Sequence, residues 1–238
     1  MRKILITNDD GITSDGLLRL AQAAKKYGEV WVVAPDGQRS AMSHRITLHE
    51  PIEFFPVDFP VEGVHAYAST GTPADCVRFG ILNIVKEKPD FVFSGINYGY
   101  NCGTDIQYSA TVGSALEAAC VGIPAIAFSE GASECHEVTD TYLEQMMGEL
   151  MEQPLAHNQI WNVNFPQCRL EELQGILYDR KIADCGFFID EYLEEELENG
   201  RIRLIVNGNY NEEAPEESDF RALVDGYISV GRVNNLRE

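Results

Sequence analysis

The sequence predicts an α/β fold in which a mostly parallel sheet is covered by helices on both faces. Through residues 1–130, apolar runs of strand length alternate with helical patterns that have one apolar face. The apolar runs lack polar alternation, which is typical of parallel strands buried on both sides. The chain has 238 residues, 45% of them hydrophobic and 24% charged, which is enough for one large core.

The first strand–helix–strand unit begins with the apolar run Ile4–Ile6. The helix that follows has an apolar face made of Leu17, Leu20, Ala21 and Ala24. Lys25, Lys26 and Gly28 end this helix, since basic residues and glycine are common at helix C-termini. The next apolar run, Val30–Ala34, is predicted to be the second parallel strand.

A second unit follows Tyr67–Gly71, where Thr72 is predicted to cap a helix that has Pro73 in its first turn. This helix is expected to run through Val85 and to lead to a strand at Phe91–Phe93. A third unit joins a helix at Val112–Val121 to a strand at Ala125–Phe128. Three such units predict a doubly wound, Rossmann-like sheet.

The C-terminal part, residues 131–238, is expected to complete the sheet of a single domain spanning 1–238, in which residues 1–130 form the core. A helix is predicted near Thr141–Met151 and a strand at Ile160–Asn164.

An extension with a β-hairpin is predicted near residues 186–206. Two strand-like runs, Gly186–Ile189 and Arg201–Val206, flank a turn signal at Asn199–Gly200. The acidic run Glu194–Glu198 between them is interpreted as a solvated face. Because an isolated hairpin is marginal in water, we expect this arm to pack on a second copy of the chain, with folding back on its own domain as the alternative.

Composition excludes several classes of function. The formal net charge of −20 disfavours binding to duplex nucleic acid or to an anionic membrane surface. The first apolar run is too short for a signal peptide, and no apolar stretch reaches the roughly 18–20 residues of a membrane span, so a cytoplasmic protein is expected. The six cysteines form no CxxC pair and are interpreted as buried reduced thiols: Cys76, Cys102, Cys120, Cys135, Cys168 and Cys185.

Polar residues follow three of the predicted strands. In doubly wound sheets, ligands bind beyond the carboxyl ends of the strands, so the loops Thr7–Gly11, Pro35–His44 and Ser94–Gly103 are expected to converge on one rim. Asp9 and Asp10 are adjacent like charges there, which a divalent cation would neutralise. Carboxylate, amide and hydroxyl oxygens suit Mg²⁺ or Mn²⁺, and His/Cys clusters of zinc spacing are absent from the sequence. The alternative is that Asp9 and Asp10 only cap the first helix.

The helix start at Ser109–Thr111 offers backbone N–H groups, a helix dipole and two hydroxyls, and is therefore a candidate phosphate site. The alternative is an ordinary Ser or Thr N-cap. His44 lies in a loop that could reach this site and is a candidate substrate contact, although an isolated loop histidine is commonly exposed or structural.

Segments spread over nearly the whole chain match the motifs of a known family: Ile6–Gly11, Val33–Asp36, Arg39–Ala41, Gly71–Val77, Ser94–Asn97, Asn101, Gly103, Tyr108–Val112, Asn162–Pro166, Ser218–Asp219 and Gly226–Ser229. On these segments the chain resembles the SurE family of metal-dependent nucleotidases and phosphatases. It implies one divalent cation per subunit, Mg²⁺ or Mn²⁺, and hydrolysis of nucleoside 5′- and 3′-monophosphates. It also implies a homodimer, or a homotetramer, built through C-terminal arms.

By resemblance, the metal ligands are Asp9, Asp10, Ser40 and Asn97. The phosphate or catalytic-pocket contacts are Asn101, Ser109, Ala110 and Thr111. Asp9 is our candidate acceptor for the proton of the attacking water, with an aspartate nucleophile as the alternative.

Two other functions fit part of the sequence. Signalling receiver domains also carry adjacent acids after the first strand and bind Mg²⁺, but they need an aspartate after the third parallel strand, where this chain has Asn97. A nucleotide-binding module without catalysis is the third interpretation, and turnover of a nucleoside monophosphate separates it from an enzyme.

Overall fold

The computed structural model describes residues 1–189, 191–211 and 213–236. Asp190, which falls within the predicted arm, lies outside the described residues. The helices are α1 (Asp15–Ala24), α2 (Pro73–Phe79), α3 (Ala110–Cys120), α4 (Glu137–Met151) and α5 (Asp219–Val224). The strands are β1 (Arg2–Thr7), β2 (Gly28–Pro35), β3 (Phe54–Pro56), β4 (His65–Ser69), β5 (Phe91–Tyr98), β6 (Ala125–Glu130), β7 (Gln159–Phe165), β8 (Gly175–Arg180), β9 (Phe188–Ile189), β10 (Tyr192–Leu197), β11 (Arg201–Val206), β12 (Asn209–Tyr210) and β13 (Tyr227–Asn234). None of the helices in these ranges combines the length and the apolar character that a membrane span requires.

A nine-stranded sheet in the order β3-β4-β2-β1-β5-β6-β7-β13-β8 organises the described chain. The central part of the sheet is parallel and comprises β4, β2, β1, β5, β6 and β7. At its two ends, β3 is antiparallel to β4, and β13 is antiparallel to β7 and parallel to β8. The predicted mostly parallel sheet is therefore confirmed. The carboxyl ends of β1, β2, β5, β6 and β7 lie at one edge, where the site described below is built.

Helices cover both faces of the sheet, as the sequence predicts. On one face α1 and α4 pack over β1, β5, β6 and β7, burying Leu20, Phe93, Met146 and Phe128 completely. On the other face α2 and α3 bury Val77 and Ala115. Buried side chains of this size contribute roughly 1.5–3 kcal/mol each, so the two cores together hold the sheet edge in a fixed position.

The helix starts follow the capping residues in the sequence. Ser14 Oγ accepts a hydrogen bond from the Leu17 N–H. At α2, Thr72 Oγ1 accepts from the Asp75 N–H while the Asp75 carboxylate accepts from the Thr72 N–H, a reciprocal capping box. This helix ends earlier than predicted, because at Gly80 the chain widens into a π-helical turn that is closed by the Val85 N–H bonding the Gly80 carbonyl.

The C-terminal arm differs from the prediction in its pairing. The turn at Asn199–Gly200 is confirmed, with left-handed φ values of 65° and 71°. The strand that pairs with β11, however, is the acidic segment Tyr192–Leu197 and not Gly186–Ile189. Phe188–Ile189 instead pairs with Asn209–Tyr210 at the base of the arm. A tight turn brings its flanking residues into register, and this local constraint determines the partner of β11.

The cysteines are free thiols, but only two of them are buried. Cys76 and Cys102 lie in the core, as expected. Cys120 is exposed, because it occupies the C-terminal position of α3 and is followed by a turn that ends the apolar packing. The interpretation of all six as buried thiols was wrong for Cys120, and Cys135, Cys168 and Cys185 are half-buried.

Candidate active site

The loops that follow β1, β2 and β5 meet at the carboxyl edge of the sheet. The Arg39 N–H donates to the Asp9 carbonyl at 2.7 Å, and the Tyr98 N–H donates to Asp10 Oδ2 at 3.2 Å. Gly11 adopts φ +98°, and a Cβ there would come within 3.1 Å of the Gly37 backbone. The first two loops therefore pack backbone against backbone, and the predicted convergence of the three loops is confirmed.

Asp9 is a deeply buried carboxylate at this edge, with 3% of the residue exposed. Thr111 Oγ1, on the second residue of α3, donates to Asp9 Oδ1 at 2.7 Å. Burial raises the pKa of Asp9 to about 7, the Thr111 hydrogen bond lowers it, and the charge of Asp10 raises it further. Asp9 is therefore a carboxylate whose charge is poorly solvated.

Asp10 lies next to Asp9 and is half-buried. Burial raises the pKa of Asp10 as well, opposed by hydrogen bonds from the Tyr98 backbone and from Gln38. Neither carboxylate forms an ion pair with Lys or Arg in the described chain. The two adjacent acids are thus held together at a site that lacks a protein cation.

Two further oxygen donors lie on the loops that contact the two acids. Asn97 Nδ2 donates to the Gly99 carbonyl at 2.8 Å, an orientation that commits the amide nitrogen and leaves the Oδ1 atom for a ligand. Ser40 is exposed on the loop after β2, just beyond the Arg39 N–H that contacts Asp9. Carboxylate, amide and hydroxyl oxygens are the donor types that a hard divalent cation prefers, and the donor set fits such an ion.

The start of α3 lies beside Asp9 through the Thr111 contact. Ser109 is the N-cap: its Oγ accepts from the Val112 N–H at 3.1 Å, and its own N–H bonds to Ile106. The N–H groups of Ala110 and Thr111, at the first two helical positions, have no intrahelical acceptor. They form the positive end of an eleven-residue helix next to two carboxylates. This arrangement suits an anion that binds the N–H groups and a cation that joins the anion to the carboxylates.

Asn101 is held by residues that the sequence reasoning did not single out as functional. Its N–H donates to Asn164 Oδ1 and its Nδ2 donates to Ser129 Oγ, both at 2.8 Å. Its carbonyl accepts from Asn162 Nδ2 at 2.8 Å and from Asn164 Nδ2 at 3.0 Å. Ser129, Asn162 and Asn164 are polar residues near the carboxyl ends of β6 and β7, and that position was the available signal.

His44 is turned toward the C-terminal half of α3. Its Nε2 contacts Glu117 Oε2 at 2.8 Å, two helical turns beyond the helix start. The structure thus brings together Asp9, Asp10, Thr111 and the loop of Asn97, and it places the His44 ring in a separate polar cluster.

Comparison with known proteins agrees with the fold. Residues 4–184 match the family profile described as Survival protein SurE. The chain is 40% identical over 233 residues to the 5′-nucleotidase SurE of Thermoanaerobacter sp. (strain X514), covering 96% of this chain and 90% of that protein. It is 39% identical over 233 residues to the 5′-nucleotidase SurE of Clostridium botulinum (strain Loch Maree / Type A3), covering 95% of this chain and 90% of that protein. The crystal structure of the SurE protein from Aquifex aeolicus superposes with a TM-score of 0.83 at 33% identity, covering 98% of this chain and 93% of the other.

Proposed function

Because the chain belongs to the SurE family, we propose that it is a phosphomonoesterase that hydrolyses nucleoside 5′-monophosphates to nucleoside and phosphate. We further propose that it needs one divalent cation per subunit, Mg²⁺ or Mn²⁺, and that it also accepts 3′-monophosphates. The observation that carries the proposal is the buried Asp9 beside Asp10 at the start of α3, with no protein cation among the described residues to neutralise the pair.

The residues proposed to hold the cation are Asp9, Asp10, Ser40 and Asn97. When bound, a divalent cation polarises a phosphoryl group and makes a water molecule more acidic. The chain supplies the rest of the chemistry. The N–H groups of Ala110 and Thr111 would bind the phosphoryl oxygens and stabilise the negative charge that develops on them.

Asp9 is the proposed proton acceptor in this reaction. The Thr111 hydroxyl donates to Oδ1 of Asp9, which leaves Oδ2 as the atom for the cation and for the proton of the attacking water. Asn101 would line the pocket, where the amide groups of Asn162 and Asn164 fix its backbone.

The experiment is hydrolysis of 5′-AMP and 3′-AMP by protein treated with EDTA, before and after addition of Mn²⁺ or Mg²⁺. We expect no turnover without metal and recovery with either ion. Asp10→Asn should stay inactive after Mn²⁺ is added, whereas the matched control Asp15→Asn, an exposed aspartate in α1, should recover fully. Full turnover by metal-free protein would contradict the metal requirement. Turnover of 5′-AMP without turnover of 3′-AMP would contradict the proposed activity on 3′-monophosphates.

The two other interpretations of the sequence are a receiver domain and a nucleotide-binding module without catalysis. Membership of the SurE family removes the receiver interpretation, since the family covers most of the chain. A binding module without catalysis would bind the nucleotide but leave it intact at every metal concentration. Cytoplasmic localisation stays a prediction.

We also propose that the chain forms a homodimer through its arm, with a homotetramer as the larger alternative. In the described residues β10 and β11 pair only with each other. On one face of this hairpin, Glu194 and Glu196 lie opposite Leu204 and Ile202. The apolar side chains of that face are Tyr192, Ile202, Leu204 and Val206, whose exposed fractions are 51%, 60%, 58% and 73%. A stripe of this kind on a two-stranded hairpin needs a surface to cover it, and exchange of identical arms supplies one.

Light scattering on a size-exclusion column tests the assembly. The intact chain should elute as a dimer or tetramer at micromolar concentration, and deletion of Phe187–Val206 should give a monomer. Leu204→Glu should also weaken the assembly. The matched control is Leu82→Glu, because Leu82 is 67% exposed and lies outside the arm. A monomeric intact chain would contradict the proposal.

A further inference from the structure

A second group of metal-binding side chains lies along α3. His44 Nε2, a carboxylate oxygen of Glu117 and Cys120 Sγ all lie within 4.8 Å of one another. Glu117 and Cys120 are three residues apart on the helix and therefore share one face. The sequence shows no such cluster, because His44 is 73 residues away from Glu117 along the chain.

The loop that carries His44 lies directly on the helix. A Cβ at Gly113 would come within 2.5 Å of the Ser43 carbonyl, so glycine is what permits this approach. The Ser43 N–H also donates to the Tyr108 carbonyl at 3.0 Å, one residue before the N-cap of α3. The position of His44 over the helix is therefore set by backbone packing and does not depend on its ion pair alone.

Glu117 is buried, with 7% of the residue exposed, and its two oxygens face different partners. Oε1 lies 3.4 Å from Arg78 Nη1, and Oε2 lies 2.8 Å from His44 Nε2. Arg78 thus occupies one oxygen and leaves the other to His44. The contact between Oε2 and Nε2 lies where a metal ion would bind both atoms.

We propose that His44, Glu117 and Cys120 bind Zn²⁺ at a site separate from the oxygen-lined edge of the sheet. One imidazole nitrogen, one carboxylate oxygen and one thiolate are ligand types that zinc takes in proteins. Around a tetrahedral zinc ion, the nitrogen and oxygen ligands stand about 3.3 Å apart, so Nε2 and Oε2 need to separate by only about half an ångström. Cys120 is exposed, and its Sγ accepts a hydrogen bond from Asn235 Nδ2 at 2.8 Å, which the ion would have to replace.

Three protein ligands leave a fourth position for water or an external ligand. A surface cavity of about 740 Å³ borders Glu117 and Cys120, and it gives the ion a route from solvent. Bound zinc would join the loop of His44, which also carries Ser40, to the helix that begins at Ser109–Thr111. The site would therefore fix two parts of the candidate active site relative to each other.

The experiment is a Co²⁺ titration of reduced, chelator-treated protein followed by ultraviolet–visible absorption. Co²⁺ replaces Zn²⁺, and its bond to a thiolate gives a near-ultraviolet charge-transfer band that oxygen ligands do not give. We expect this band to saturate at one Co²⁺ per chain and to disappear when Zn²⁺ is added. Cys120→Ala should abolish the band, and Glu117→Gln should weaken Co²⁺ binding by roughly tenfold or more.

Two control variants separate this site from other thiols and from the proposed catalytic metal. Cys168→Ala removes a half-buried cysteine outside the cluster and should keep the band. Asp10→Asn alters the oxygen-lined edge and should keep it too, whatever its effect on hydrolysis. Absence of the band from the unmodified protein, or its survival in Cys120→Ala, would overturn the proposal.

Discussion

Replacement of Asp9 by Asn should stabilise the metal-free protein, although it removes a proposed ligand and base. The side chain is 3% exposed, and its ionised form is poorly solvated in the fold. Asn has nearly the same shape, carries no charge and keeps an oxygen that can accept from the Thr111 hydroxyl. The variant therefore removes the cost of the charge and retains the packing.

The size of the effect follows from the pKa of Asp9. Its value is about 7 in the fold, against 3.8 for the unfolded chain. At about 1.4 kcal/mol per pKa unit, ionised Asp9 destabilises the metal-free fold by about 4 kcal/mol at pH 8. Because the pKa of the folded state is the higher one, stability is lost as pH rises from 3.8 toward 7, and about 2–3 kcal/mol of the loss falls between pH 5 and pH 8.

Urea unfolding in EDTA at pH 5 and pH 8 measures this difference. Asp9→Asn should be more stable than the unmodified protein at pH 8, and the gap should narrow at pH 5. Asp15→Asn, in which the carboxylate is exposed, should show no such pH-dependent gap. If the free energy of unfolding of Asp9→Asn at pH 8 is equal to or lower than that of the unmodified protein, ionised Asp9 does not destabilise the fold and the reasoning is refuted.

Three further substitutions test separate contacts. Asn97→Ala should lower kcat/KM by about 10- to 100-fold with little change in Tm, since it removes one proposed metal ligand. Near-normal turnover would contradict the assignment of Asn97 as a ligand. Thr111→Val removes a hydrogen bond that lowers the pKa of Asp9, so in EDTA the loss of unfolding free energy between pH 5 and pH 8 should be larger than in the unmodified protein; an equal loss would show that this hydrogen bond does not affect the titration of Asp9. Thr72→Ala removes the cap of α2 and a donor to the Arg45 carbonyl, so it should lower the free energy of unfolding by about 1–2 kcal/mol in urea; no change would show that the cap contributes little.

The sheet and its polar edge could be predicted because the information is local. Val30–Ala34 is a continuous apolar run, and Thr72 and Pro73 mark a helix start within a few residues. The arm was harder to predict, since Tyr192–Leu197 carries three glutamates and has neither strand propensity nor apolar alternation. Its pairing with β11 follows from the turn geometry at Asn199–Gly200.

The carboxylates of the candidate site were predictable because they lie directly after a strand. Asp9 and Asp10 follow β1, and the rule that ligands bind beyond the carboxyl ends of strands locates them. The contact between His44 and Glu117 depends on how a long loop crosses α3, which no local pattern encodes. The exposure of Cys120 likewise depends on where α3 ends and on what packs beyond it.

The position of β13 has a consequence for how the chain is made. It follows β8–β12 in the chain, yet it is an interior strand that separates β7 from β8. Until a ribosome has released Tyr227–Asn234, the edge of β7 has no partner on that side, and it carries the buried residues Trp161 and Val163. A nascent chain therefore exposes the unpaired edge of β7 until Tyr227–Asn234 has been made, and truncation before Tyr227 is expected to yield aggregates rather than a shortened protein.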